Sequence, residues 1–130
     1  MKANILLVDS YTEIRESLSQ ILRLEGYDVT VASNGKEAVV SLRQTGFDLV
    51  LLDLDMPVSD GWDTLGQIIT NSLSLPLIIL TTRLDQQSWA RQKGGTAVLR
   101  KPLEMNLLFE AVGRALFKAY ENSQQRPESP

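Results

Sequence analysis

The stretch Asp48-Leu49-Val50-Leu51-Leu52-Asp53-Leu54-Asp55-Met56-Pro57 decides how the rest of the chain is read. The apolar run Leu49 to Leu52 is too short for a helix and is bounded by aspartates, so it reads as a strand. It is apolar at successive rather than alternate positions. That suits burial on both faces, as in the interior of a parallel sheet. Such a strand would deliver two carboxylates, Asp53 and Asp55, at its carboxyl end.

Working outward, Ile5 to Val8, Leu77 to Leu80 and Ala97 to Leu99 have the same character, and Val29-Thr30-Val31 is a weaker version. Helical spacing fills the gaps. Ile14, Leu18, Ile21 and Leu22 repeat at the interval of one buried face. Ala38, Val39 and Leu42 do so in the next segment, and Leu65, Ile68, Ile69 and Leu73 in the third. Trp89 and Ala90 mark a weaker fourth helix. Leu107, Leu108, Ala111, Val112, Ala115 and Leu116 mark the last. Gly26, Gly46 and Gly94-Gly95 stand where helices should stop. Strand and helix therefore alternate five times. This predicts an α/β fold, a single five-stranded parallel sheet covered by helices on both faces. The strand order expected is 2-1-3-4-5, a flavodoxin-like (βα)5 three-layer sandwich. Residues 1–121 form the expected domain, and the polar stretch 122–130, with two prolines, reads as a disordered tail.

Composition narrows the chemistry. The chain has 130 residues, of which 43% are hydrophobic and 22% charged, enough for one domain with its own core. It has no cysteine and no histidine, which excludes disulfides, thiolate or imidazole metal sites and any Ser-His-Asp triad. Carboxylates, hydroxyls, lysine and backbone must carry whatever chemistry there is. A net charge of −3 argues against direct nucleic-acid binding. No apolar run approaches a membrane span. The start Met1-Lys2-Ala3-Asn4 leads straight into a strand without a signal peptide, so the expected location is the cytoplasm.

In an open parallel sheet, ligands gather beyond the carboxyl ends of the strands. Asp9 follows the first strand, Asp53 and Asp55 the third, Thr81 and Thr82 close the fourth, and Lys101 follows the fifth. Taken singly each has a structural explanation: an Asp after a strand is ordinarily a helix cap or turn residue, and a Lys a solvated charge. Taken together they surround one point. Grouped carboxylates suit a hard cation such as Mg²⁺, a carboxylate can act as a nucleophile toward phosphorus, and a hydroxyl and an ammonium can receive phosphoryl oxygens. No GxxxxGK[ST] or GxGxxG loop follows the first strand, which speaks against nucleotide or flavin binding.

These blocks resemble the receiver domains of two-component signalling, the CheY-like response regulators. The residues carrying the resemblance are Ile5 to Asp9, Asp48 to Pro57, Asp60-Gly61, Pro76 to Thr81 and Lys101-Pro102. It spans about residues 3 to 120. By that resemblance Asp53 is the phosphoryl acceptor. Asp9, Asp53 and the backbone carbonyl of Asp55, with its side chain as a further candidate, hold Mg²⁺. Thr81 is the switch hydroxyl, Lys101 pairs with the acceptor, Lys101-Pro102 is a bond often cis, and Asp60-Gly61 opens the third helix. The implied partners are a sensor histidine kinase or phosphotransfer protein and a downstream protein. The latter would dock on the face of the fourth helix, fifth strand and fifth helix. The implied role is a signalling switch rather than an enzyme, with at most self-phosphorylation and self-dephosphorylation.

Three positions depart from the family pattern. Ser10 stands where a second acid ordinarily binds the metal; Ser10-x-x-Glu13 reads instead as a capping box opening the first helix. Val98 stands where a switch aromatic is usual, and a valine has few rotamers. Asp55 adds a rim carboxylate that could pair with Arg83. Ser10 and Val98 leave open a degenerate receiver that binds proteins without phosphorylation. Asp53-x-Asp55 also resembles the opening motif of haloacid-dehalogenase-type phosphatases, although Pro57 stands where that motif wants Thr or Val and no cap domain fits this length.

Overall fold

The computed structural model describes residues 2–56, 60–71, 75–83 and 97–125. Along the chain these form β1 (Asn4–Val8), α1 (Thr12–Leu24), β2 (Asp28–Ala32), α2 (Gly35–Gln44), β3 (Leu49–Asp53), α3 (Asp60–Asn71), β4 (Leu77–Thr81), β5 (Ala97–Arg100) and α4 (Met105–Gln125). The sheet has five strands in the order β2-β1-β3-β4-β5, every pair parallel. The segments predicted as strands are all strands, each a residue or two longer at most.

Side-chain alternation along the strands explains why the apolar runs are unbroken. Ile5, Leu7, Leu49, Leu51, Ile78 and Leu80 face one side, where Leu18 and Leu22 of α1 and Leu108, Val112 and Ala115 of α4 cover them. Leu6, Val8, Val50, Leu52, Ile79 and Val98 face the other, against Ala38 of α2 and Leu65 and Ile68 of α3. With both faces covered, β1, β3 and β4 bury nearly every side chain. Burial of each large aliphatic contributes roughly 1.5–3 kcal/mol. β2, at the edge, is mostly exposed.

Local signals set the helix ends. Gly26 adopts φ 100°; its N–H donates to Arg23 O and that of Tyr27 to Leu22 O, the Schellman pair that closes α1. Asn34 caps α2 by accepting from the Glu37 N–H at 2.9 Å. The Glu37 carboxylate reaches back to the Ser33 N–H and hydroxyl, both at 2.8 Å, and these bonds hold its pKa below the usual value. Gly46 is not itself the stop of α2, which ends on an extended Thr45. Gly35 begins α2 where it meets α3: a Cβ there would run into Thr64 Oγ1 and come within 3.3 Å of the Thr64 backbone.

Four expectations are corrected or extended. Ile14 is 47% exposed, at the side of a shallow groove shared with Leu103 and Met105; α1 turns Leu18 and Leu22 inward instead. Leu107 is 51% exposed beside a groove along β5, because α4 reaches the sheet through Leu108, Val112 and Ala115. The last helix runs on to Gln125, past the end expected for the folded domain. The Ser10 capping box does not form: α1 takes Tyr11 as its N-cap, with no side-chain cap bond. The helix starts one residue too late for the box, and Ser10 Oγ is left buried without a partner. The predicted fourth helix around Trp89 and Ala90, with Gly94-Gly95, Leu73 and Pro57, lies outside the described residues.

Candidate functional site

The sheet order makes neighbours of β1, β3, β4 and β5, and the parallel register brings their carboxyl ends level: Val8 pairs with Leu52, Asp53 with Leu80 and Thr81 with Arg100. Asp9, Asp53, Thr81 and Lys101 are thereby delivered to one edge from positions distant in sequence. Asp60, at the start of α3, also stands where the sequence reading places it.

Asp53 ends β3 fully buried. Its Oδ1 accepts the Asp55 N–H at 2.7 Å, and its Oδ2 accepts from Lys101 Nζ at 2.5 Å. A buried carboxylate is tolerable only with such partners. The Lys101 N–H is anchored on Thr81 O at 2.9 Å, and the Lys101-Pro102 bond that follows is cis.

Asp9 is 1% exposed. Its N–H donates to Ala32 O, its carbonyl accepts from Arg15 Nη1 at 2.8 Å, and its Oδ1 accepts the Tyr11 N–H at 2.9 Å. Oδ2 is buried without a partner, as is Ser10 Oγ. Burial pushes the Asp9 pKa up to about 6; the neighbouring Asp53 carboxylate adds to this, while the Tyr11 N–H and the Lys101 charge work against it. Unpartnered buried oxygen atoms are rare in folded proteins and ask for an explanation.

Asp55 departs from expectation. Its carboxylate accepts from Thr81 Oγ1 at 2.9 Å and from the Thr82 N–H at 2.7 Å, and lies 3.6 Å from Lys101 Nζ. Its ion-pair partner is thus Lys101 and not Arg83, whose backbone N–H instead donates to Thr81 Oγ1 at 3.2 Å. The side chain is turned toward β4. The sequence reading missed the Thr82 N–H as a site group, and an amide carries no side-chain signal by which to find it. Val98 is 7% exposed and packed in the core on β5, so no aromatic ring stands at this position.

A divalent cation fits these groups in part. Among the described residues no three acidic, His or Cys side chains converge into a ready metal cage. Mg²⁺ keeps several waters and needs few protein ligands, however, and the unpartnered Asp9 Oδ2 beside the Asp53 carboxylate is the kind of oxygen it takes.

The fold and this edge define a class: a parallel α/β module with an acidic pocket and a lysine at the strand ends. The response regulator receiver domain model matches residues 5–113, and the chain belongs to that family. It is 34% identical over 116 residues to the response regulator protein FleR of Pseudomonas aeruginosa, covering 88% of this chain and 24% of that protein. It is 36% identical over 117 residues to the transcriptional regulatory protein ZraR of Klebsiella oxytoca, covering 88% and 26%. The chain thus spans about a quarter of the length of these relatives. Among solved structures, a CheY-like receiver domain protein from Methanospirillum hungatei superposes with TM-score 0.86 at 27% identity, covering 94% of this chain and 99% of that one. TrrA from Thermotoga maritima, in complex with Mg²⁺ and BeF, gives 0.79 at 33% identity, covering 89% and 100%. This is a receiver of two-component signalling, not a classical enzyme.

Proposed function

We infer that the chain is a switch operated by phosphorylation of Asp53, with a histidine kinase, a phosphotransfer protein or a small acyl phosphate as donor. The observation that carries this reading is the fully buried Asp53 at the meeting point of four strand ends, with Lys101 on one oxygen. An Asp53 oxygen attacks phosphorus, and the bond from phosphorus to the donor breaks. The donor's imidazole nitrogen or carboxylate oxygen leaves with the electron pair. Lys101 holds the acceptor carboxylate in place and then balances the charge on the phosphoryl oxygens. Asp9, Asp53 and the Asp55 carbonyl would hold Mg²⁺, which when bound screens the incoming phosphoryl group from the carboxylates. A relative, TrrA, is known in complex with Mg²⁺ and BeF, which supports Mg²⁺ as the cation.

Thr81 and the fifth strand link the site to an output surface. An open groove lined by Ala97, Leu99, Leu107 and Ala111, with Arg114 and Lys118 at its rim, runs between β5 and α4. It forms part of the face expected to meet a downstream protein. Phosphorylation would shift a pre-existing equilibrium of that face, transmitted by Thr81 and strand packing, since Val98 offers no ring to rotate.

The test is intact-protein mass after incubation with acetyl phosphate, with and without Mg²⁺, beside Asp53→Asn. Gain of one phosphoryl group that requires both Mg²⁺ and Asp53 is the expected result. An Asp53→Asn chain that still takes up phosphate would overturn it. No uptake by the unaltered chain at high Mg²⁺ would favour a receiver that binds proteins without phosphorylation, the reading that Ser10 and Val98 motivate.

A further inference from the structure

A phosphoryl group on Asp53 would bring three oxygens that need donors, and this inference rests on that reading of Asp53. The donors that β4 and β5 present at the rim are the Thr81 hydroxyl, the Thr82 N–H and the Lys101 ammonium. All three already face one anion, the Asp55 carboxylate, at 2.9, 2.7 and 3.6 Å respectively. The direction of the Thr81 bond is settled by its surroundings. The Arg83 N–H donates to Thr81 Oγ1, and a carboxylate only accepts, so the hydroxyl proton points at Asp55. Hydrogen bonds to an ionised acceptor are about twice as strong as neutral ones.

We propose that Asp55 is an internal anion latch: its carboxylate holds Thr81 and Thr82 as a phosphoryl group would, and must give them up before Asp53 can be phosphorylated. The Asp55 side chain is one-fifth exposed, so it has solvent to swing into. A phosphoryl group arriving on Asp53, two residues away, would expel it by like-charge repulsion. The latch keeps the unphosphorylated site closed and slows uptake. It also accounts for a rim carboxylate that spends its oxygens on Thr81 and Thr82 while Asp9 Oδ2 is unpartnered. The backbone carbonyl of Asp55 is unaffected by any side-chain change, so its role toward a cation can be separated from the latch.

The experiment compares the unaltered chain with Asp55→Ala and Asp55→Asn. The Thr82 amide is followed by NMR hydrogen exchange without Mg²⁺, and phosphoryl uptake from acetyl phosphate by intact mass with Mg²⁺. The latch predicts a downfield, protected Thr82 amide in the unaltered chain. In Asp55→Ala protection is lost and uptake is roughly tenfold faster, as expected for losing a charge-assisted bond. Asp55→Asn, which keeps the shape and loses the charge, falls between and serves alone if the alanine chain does not fold. An unchanged Thr82 amide, or uptake no faster than in the unaltered chain, overturns the latch. If no chain gains an Asp53-dependent phosphoryl group, the phosphorylation reading falls instead. The Thr82 amide then decides the latch by itself: protection lost with the Asp55 carboxylate sustains it, and protection retained overturns it.

Discussion

Replacing Asp9 by Asn should stabilise the protein at neutral pH. Asp9 is almost fully buried, and one of its oxygens has no partner. Burial, reinforced by the Asp53 charge, raises its pKa from 3.8 to about 6. At about 1.36 kcal/mol per pH unit, keeping Asp9 ionised in the fold costs about 3 kcal/mol. The sign follows from proton linkage. Between pH 3.8 and about 6 the folded chain holds a proton that the unfolded chain has released, so stability falls as pH rises through that window. The full cost is present above about pH 6 and absent below the unfolded pKa. Asp9→Asn removes the charge, so the variant should be more stable than the unaltered chain at pH 7.5 by about 2–3 kcal/mol. The gap should close toward pH 4. The assay is urea unfolding in EDTA at several pH values, comparing midpoints at equal slope. Millimolar Mg²⁺ should narrow the gap by stabilising the unaltered chain alone. A stability difference that does not change between pH 4 and 7.5 would refute the reasoning, since it would mean that Asp9 ionisation carries no cost in the fold.

Two further outcomes follow from the packing and the pocket. Gly35→Ala should destabilise by about 1–2 kcal/mol even though alanine favours helix, because the clash with Thr64 exceeds the propensity gain; Thr64→Ala in the same chain should recover part of the loss, read by thermal unfolding. Ser10→Asp should tighten Mg²⁺ on the order of tenfold by adding a carboxylate beside the unpartnered Asp9 oxygen, measured by calorimetric titration, and an unchanged affinity would show that the acid missing at Ser10 does not limit binding.

Much of this protein is legible in its sequence, for physical reasons. Leu49 to Leu52 and Ile5 to Val8 are unbroken because both faces of a central strand are covered, and burial follows hydrophobicity whatever the neighbour. Gly26 marks the end of α1 because a left-handed residue is cheapest as glycine. Asp9, Asp53, Thr81 and Lys101 could be grouped because parallel strands with right-handed crossovers put all carboxyl ends on one edge. Tertiary structure alone decided the rest. Ser10-x-x-Glu13 has the pattern of a cap, but α1 takes Tyr11 as its N-cap, one residue later. Ile14 and Leu107 have helical periodicity, yet α1 and α4 reach the sheet through Leu18, Leu22, Leu108 and Val112 and leave each half exposed. Asp55 could have turned to a metal, to Arg83 or to Thr81; the donors that settled it lie 26 and 27 residues further along the chain. Spacing reports which side of an element a residue occupies. Which partner a charged side chain finds depends on donors brought from elsewhere by the fold, and one of those donors is a backbone amide that no residue type announces.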